Sequence, residues 1–274
     1  MKNLNSISFK KVLNELGVKP GSTLYITGNL GNLGLPHNLS GEKIKGRNQI
    51  LDFYLNGILD SIGTNGTIVF PTHSFNLIES KDVFDPNQTP TNYTLSEYLR
   101  TTLKANRQLH PYSSLASYGR HSEKIISKNI TKHPYGTDSP YKFLEENDCI
   151  FISLGLPARK SISAVHYCEF KVGVPYRYTK SFKHYICTNT KEYLEEFFLY
   201  VCYEKVKIIR DKNIKIFAIP SIKRFIRTQL IGNSIIESIP LNIFINETSK
   251  AMLNDPYIWT REIKSINNIV PWVM

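Results

Sequence analysis

Apolar residues recur along this chain with two different periods, and the switches between them predict its elements. Ser8 to Leu16 places Val12, Leu13 and Leu16 on one side of a helix closed by Gly17. Pro20-Gly21 then turns the chain into a strand, Ser22 to Thr27, that runs into a loop with Gly28, Gly31 and Gly34. Such glycines allow close backbone approach and positive φ, so the exposed N–H groups can cradle an anion, although no G-x-G-x-x-G opens a helix here. His37 to Arg47 is polar and glycine-containing and is expected to be mobile. Helical period returns over Gln49 to Ile62 and ends at Gly63. Gly66 to Pro71 is a continuous apolar run, the pattern of a strand covered on both faces. Thr72-His73-Ser74-Phe75 follows directly, polar where a strand end meets solvent.

The middle of the chain continues the alternation. Pro86 to Asn92 is a loop, after which Thr94 or Ser96 caps a helix through Leu103. Leu115 to Gly119 reads as a short strand and His121 to Lys128 as a charged helix. Ser139 at N-cap and Pro140 at the first helical position open a helix from Tyr141 to Glu146. Cys149 to Leu154 is short, apolar and rich in β-branched residues, so it reads as a buried strand. A helix with Ser161 or Ser163 as N-cap comes next. Val172 to Phe182 reads as an aromatic and basic loop, Tyr185 to Cys187 as a strand, Lys191 to Tyr200 as a helix, and Val206 to Ile209 as a strand. Further apolar segments cover Ile214 to Ile219 and Leu241 to Ile245, with a last helix over Glu247 to Leu253. Strands alternating with helices give an α/β fold. With no repeat and no clear linker, residues 1–274 are expected to form one domain, with a smaller C-terminal lobe from about residue 185 as the variant of that reading.

Composition narrows the class. Of 274 residues, 41% are hydrophobic, enough for a large core, and no apolar run is long enough to span a bilayer or to serve as a signal peptide. The four cysteines are scattered with no CxxC pair, so reduced thiols and a cytoplasmic location are expected. Net charge is +11, but the basic residues form no dense block. That surplus suits anionic small molecules better than nucleic acid, since no RNP motif, KH loop or helix-turn-helix is present. No H-x-E-x-H or carboxylate-rich cluster joins the histidines, so no metal is expected. Neither a membrane nor a nucleic acid is an expected partner, and the sequence carries no signal of oligomeric state.

The candidate chemistry lies after the strand at 149–154. His166 and Glu169, three residues apart on a helix, share a face. A carboxylate beside an imidazole fixes its tautomer and favours the imidazolium, as a general base near neutral pH requires. Taken alone, such a pair is more often a solvated couple on a helix surface. Its place on a turn beyond a buried strand is where open α/β sheets put their chemistry. His110 before Pro111 suits either a backbone-bonded structural imidazole or a pocket residue, and Ser113 and Ser114 suit turn caps equally well.

Four motifs stand in order: Gly66-Thr67-Ile68-Val69-Phe70-Pro71-Thr72, then Arg107-x-x-His110-Pro111-x-Ser113-Ser114-x-Ala116-x-x-Gly119, then Gly136-Thr137-Asp138-Ser139-Pro140, then Ser163-x-x-His166-x-x-Glu169. With this order and spacing, residues 8 to 185 resemble the aminoglycoside 3-N-acetyltransferase family. The resemblance implies that family's α/β fold, with a mixed central sheet flanked by helices. It also implies acyl transfer from acetyl-CoA or another acyl-CoA to the amine of an amino sugar. Relatives implied include N-acyltransferases of nucleotide-linked amino sugars, such as that of the anthrose pathway.

By matching positions, His166 is the implied base and Glu169 its orienting partner. The implied cofactor contacts are Thr27, Gly28, Asn29, Leu30 and Gly31 in the first loop, with Thr72, Ser74, His110, Ser113 and Ser114 around the thioester. His73, Tyr176, Arg177 and Lys180 are the expected acceptor contacts. The chain departs from the family pattern in Thr27-Gly28-Asn29, where many relatives are serine-rich after a histidine. It departs again in Ser163, where threonine is usual, and in the inserted segment from Pro36 to Arg47. No serine stands in a G-x-S-x-G elbow, so direct attack by the amine is expected rather than an acyl-enzyme. An aminoglycoside carries several ammonium groups and calls for clustered carboxylates, whereas a diphosphate is attracted by surplus Lys and Arg. The expected acceptor is therefore a nucleotide-linked amino sugar, such as a dTDP-amino-dideoxyhexose of surface polysaccharide assembly. Antibiotic acetylation is the alternative. A nucleic-acid-binding protein, or a relative that has lost catalysis, is a more distant one.

Overall fold

The computed structural model describes residues 4–260 apart from 79, 81, 128, 129, 190 and 205–213. Among these residues, nine strands form two sheets. The strands of the larger, mixed sheet are β1 (Thr23–Gly28), β2 (Thr67–Pro71), β3 (Asn106–Arg107), β4 (Leu115–Gly119), β5 (Cys149–Leu154), β8 (Arg227–Ile231) and β9 (Ser234–Pro240). Their order is β3-β4-β2-β1-β5-β9-β8. The three central strands, β2, β1 and β5, run parallel, with Tyr25 opposite both Val69 and Phe151. The flanking strands β4 and β9 are antiparallel to their neighbours.

Alternation along β1 explains how both faces are covered. Leu24 and Ile26 point into one apolar layer, together with Phe9, Val12 and Leu13 of helix α1 (Ser6–Glu15) and with Tyr54, Leu55 and Ile58 of helix α2 (Arg47–Ile62). Tyr25 points into the other, where helix α3 (Thr94–Leu103) takes no part. There the short helix α4 (Ser122–Ile125), α5 (Pro140–Glu146), α6 (Ala158–Ser161), α7 (Val165–Val172), α8 (Ile214–Ala218), α9 (Pro220–Lys223) and α10 (Leu241–Asn254) supply the cover. The chain beyond residue 214 returns to the central sheet through β9 and packs α10 against α7. No described helix is long and apolar enough to cross a membrane.

Several local expectations change. The segments read as a loop, a strand and a helix between Val172 and Tyr200 form one long hairpin, β6 (Arg177–Thr188) and β7 (Lys191–Cys202). Phe182 pairs with Phe197 and Ile186 with Tyr193, and this inner face covers Leu77, Phe84 and Tyr112. The expected charged helix from His121 is reduced to α4. Leu241–Asn254 is one helix rather than an apolar segment followed by another helix. β8 and β9 are strands between the two apolar segments, in a stretch to which the sequence reading assigned no element. The polar stretch after His37 is tied to the chain ahead of α1 by His37 N donating to Leu4 O at 2.7 Å and closed on itself by Ile44 N donating to Pro36 O at 2.8 Å. The strand expected at Val206 to Ile209 lies outside the described residues.

Candidate active site

The parallel strands β1, β2 and β5 all end at one edge of the sheet, and β1 leads to β2 on one side with β5 on the other. Such a switch point leaves a crevice beyond the strand ends. At the end of β1 the backbone passes so close to β5 that a Cβ on Gly28 would meet Leu154 O at 2.1 Å, and Gly28 has φ 136°. The Asn29 side chain then accepts from Gly31 N at 3.1 Å and starts a tight turn through Leu33. A cleft of about 590 Å³ opens here, within the size range of small-molecule sites. The expected residues Thr27, Gly28, Asn29, Leu30 and Gly31 all line it. Across from them stand His73, Tyr93 and Ser96, with Lys160 and Ser163 on the third side.

Most of the residues expected around the thioester are engaged elsewhere. Arg107, on β3, is buried and donates from Nη1 to Thr89 O at 2.5 Å and from Nη2 to Thr72 O at 2.6 Å and Ser74 Oγ at 2.8 Å. Its Nε donates to Ser114 Oγ at 3.1 Å, and that hydroxyl in turn donates to Thr72 O at 2.8 Å. Thr72 Oγ1 lies 3.0 Å from Ser114 Oγ, and Ser74 donates to Pro90 O at 2.6 Å. Thr72, Ser74 and Ser114 are thus parts of a buried frame around one guanidinium. His110 is structural as well. Its Nδ1 accepts from Ser113 N at 3.1 Å and its Nε2 meets Phe198 O at 3.0 Å, so both nitrogens serve the backbone. Burial chiefly pushes its imidazolium down to about 3, which keeps the ring neutral. Ser113 faces the hydroxyl of Tyr135 rather than the cleft.

The His166/Glu169 pair forms on α7 as its spacing requires. His166 Nδ1 lies 2.7 Å from Glu169 Oε2, with Glu169 0% exposed and the His166 side chain 29% exposed. Two further groups meet the same carboxylate. Tyr176 donates to Oε1 at 2.8 Å, and Arg177 Nε stands 2.9 Å from Oε2 as an ion pair rather than an aligned hydrogen bond. Arg177 Nη1 is itself anchored on Tyr200 O at 3.0 Å. Burial of Glu169 works against its charge, but the His166 bond and the Arg177 charge outweigh it and hold the carboxyl below its ordinary range. Arg177 Nη2 is 3.2 Å from His166 Nδ1, which cannot both donate to Glu169 and accept from Arg177. The shorter contact is to an anion, so Nδ1 carries the proton and Nε2 the lone pair.

Tyr176 and Arg177 therefore do not reach toward an acceptor as expected. They lie beneath the pair, because β6 begins at Arg177 and turns its side chain inward, 8% exposed. Lys180 lies farther along the hairpin with Nζ 5.5 Å from the centre of the Phe182 ring, away from the cleft lining. Neither Ser161 nor Ser163 caps α7, whose N-cap is Ala164. Ser161 Oγ is 2.6 Å from Ser153 Oγ, and Ser163 Oγ contacts the hydroxyls of Tyr25 and, at 3.2 Å, Tyr141. Tyr25 and Tyr141 are site residues that the sequence reading missed. So is Trp259, whose ring centre lies 5.2 Å from that of His166. Their one sequence signal is an aromatic side chain, which does not name a partner 138 residues away.

Comparison with known proteins gives a consistent result. The family model described as aminoglycoside 3-N-acetyltransferase matches residues 40–252. The chain is 23% identical over 192 residues to the SPbeta prophage-derived aminoglycoside N(3')-acetyltransferase-like protein YokD of Bacillus subtilis strain 168. That alignment covers 62% of this chain and 65% of the relative, just under two thirds of its length. The crystal structure of YokD superposes with a TM-score of 0.74 at 19% identity, covering 93% of this chain and 95% of that one. The apoenzyme of aminoglycoside acetyltransferase AAC(3)-IVa gives 0.73 at 18% identity, covering 96% and 94%. A structure titled AAC-IIIb binary with CoASH gives 0.75 at 19% identity, covering 91% and 96%.

Proposed function

The chain belongs to the aminoglycoside 3-N-acetyltransferase family, and from that premise we propose that it transfers an acyl group from an acyl-CoA to the amine of an amino sugar. The single observation that carries this reading is the His166/Glu169 pair. It holds a buried, charge-compensated carboxylate behind an imidazole, one helical turn from the cleft-lining Ser163. The relative crystallised with CoASH supports acyl-CoA as the donor. In this reading the pantetheine arm follows the Thr27 to Gly31 turn into the cleft.

The chemistry follows from the protonation states. The attacking amine must shed a proton as its nitrogen bonds to the thioester carbon. His166 Nε2 takes it, a contribution of roughly 10²–10⁴-fold in rate. Glu169 fixes the Nδ1–H tautomer and stabilises the imidazolium that forms. The C–S bond then breaks and the CoA thiolate leaves, taking up a proton as free CoA. Ser114 is sealed in the Arg107 frame and Ser113 faces Tyr135, which favours direct attack within a ternary complex over an acyl-serine.

For the acceptor we favour a nucleotide-linked amino sugar over a polycationic aminoglycoside. The net charge of +11 and a cleft lined by Lys160, with no carboxylate among its described lining residues, support an anionic partner. Arg177 no longer counts toward phosphate capture, since Glu169 neutralises it. A thiol-release assay with acetyl-CoA, run across dTDP- and UDP-linked amino sugars and kanamycin- and gentamicin-type acceptors, tests the choice. Faster turnover of the nucleotide sugars is expected. Faster turnover of the antibiotics reverses the order.

A further inference from the structure

An acyl transfer needs a hydrogen-bond donor for the oxygen that becomes negative as the tetrahedral centre forms. The hydroxyls around the end of β2 do not supply it, because those of Ser74 and Ser114 accept from Arg107 and that of Thr72 is engaged with Ser114 Oγ. His73 is placed differently. It lies two residues past β2, lines the cleft, and is 7% exposed, with its ring centre 5.1 Å from Phe75 and 5.9 Å from Tyr93. Its Nδ1 is buried and makes no hydrogen bond. A buried lone pair without a partner is less costly than a buried N–H without one, so the ring's proton belongs on Nε2. Burial, reinforced by the nearby Arg107 guanidinium, pushes the His73 imidazolium down to about 3, so the ring is neutral at working pH.

We propose that His73 is a catalytic residue of the acyl transfer, its neutral Nε2–H donating to the thioester carbonyl oxygen and holding the charge that develops there. This rests on the acyl-CoA reading given above. His73 exchanges no proton. The amine's proton goes to His166, the new N–C bond forms, and the oxyanion held by His73 collapses as the C–S bond breaks. Neutrality suits the role. His166 becomes an imidazolium in the same step, and a second cation within its electrostatic reach would oppose that proton transfer. A neutral donor stabilises the oxyanion without that opposition.

The test uses acetyl-CoA labelled with ¹³C at the carbonyl, bound to the full chain, with the thioester stretch read by infrared difference spectroscopy. In the wild type the band moves to lower frequency on binding. His73→Ala loses the shift and lowers kcat by roughly 10²–10³-fold, the usual cost of one oxyanion donor. Its affinity for acetyl-CoA stays nearly unchanged. His73→Gln, which restores a neutral N–H in similar volume, recovers most of the shift and part of kcat. Thermal unfolding of both variants separates this loss from misfolding, and His73→Gln keeps the test open if the alanine variant does not fold. An unshifted band in the wild type, a wild-type band in His73→Ala, or loss of the shift only in Ser163→Ala overturns the proposal while leaving the acyl-CoA reading intact. Absence of acetyl-CoA binding to the wild type overturns both.

Discussion

Replacing Arg177 by methionine removes one cation from a carboxylate that has no access to water. Glu169 is 0% exposed, and in the variant it keeps only the His166 Nδ1–H and the Tyr176 hydroxyl. Breaking a buried pair by deleting one partner costs about 3–5 kcal/mol, and the two surviving donors put this case near the lower end, about 3 kcal/mol. For a chain of this size that corresponds to a fall in Tm of roughly 6–12 °C. The pH dependence gives the sharper signature. In the wild type the folded-state Glu169 lies below its unfolded value, so its contribution is present above the unfolded value and is lost as the pH falls through the folded one. In Arg177→Met, burial dominates and lifts the carboxyl above its unfolded value. The variant then takes up a proton on folding, and its deficit shrinks as the pH is lowered from neutral toward the ordinary carboxylate range. Thermal unfolding of both proteins across that interval measures it. A variant as stable as the wild type at neutral pH, or a deficit that stays constant or grows on acidification, refutes the reasoning.

One further substitution and one kinetic measurement test the rest of the site. Gly28→Ala places a methyl 2.1 Å from Leu154 O at φ 136°, and should cost at least about 1–3 kcal/mol in strain while weakening acyl-CoA binding. Denaturant unfolding and calorimetry read both effects, and wild-type values for both count against the close β1–β5 approach as the reason for this glycine. Initial rates against both substrates should give intersecting lines, as direct attack requires. Parallel lines with an acylated serine found by mass spectrometry, at Ser113, Ser114 or Ser163, would instead establish a covalent route.

The sequence made the centre of the fold legible and hid its rim. β1, β2 and β5 were readable because a strand covered on both faces is a short unbroken apolar run bounded by turns, as in Ile68-Val69-Phe70 and Cys149-Ile150-Phe151-Ile152. Lys191 to Tyr200 misled because Lys, Glu and Leu are strong helix formers, and propensity yields to tertiary pairing. Phe197 and Leu199 alternate with solvent-facing residues and find their cover on β6 and the loop at Phe84, which local spacing does not reveal. The same division holds at the site. His166 and Glu169 are three residues apart on one helix, so their contact is local and readable. Tyr176 and Arg177 were noticed for their chemistry, but the direction in which β6 turns them is set by the hairpin. Ser163 meets Tyr25 across 138 residues, a contact made by the packing of α7 over the sheet.

The central claim is that His166 is the base of an acyl transfer, and single-turnover kinetics of His166→Ala with saturating acetyl-CoA and the best amino-sugar acceptor test it most directly. The account predicts that the variant binds acetyl-CoA as the wild type does and loses roughly 10²–10⁴-fold in the rate of acyl transfer, because the lost interaction belongs to the transition state. An acyl-transfer rate in His166→Ala equal to that of the wild type contradicts it.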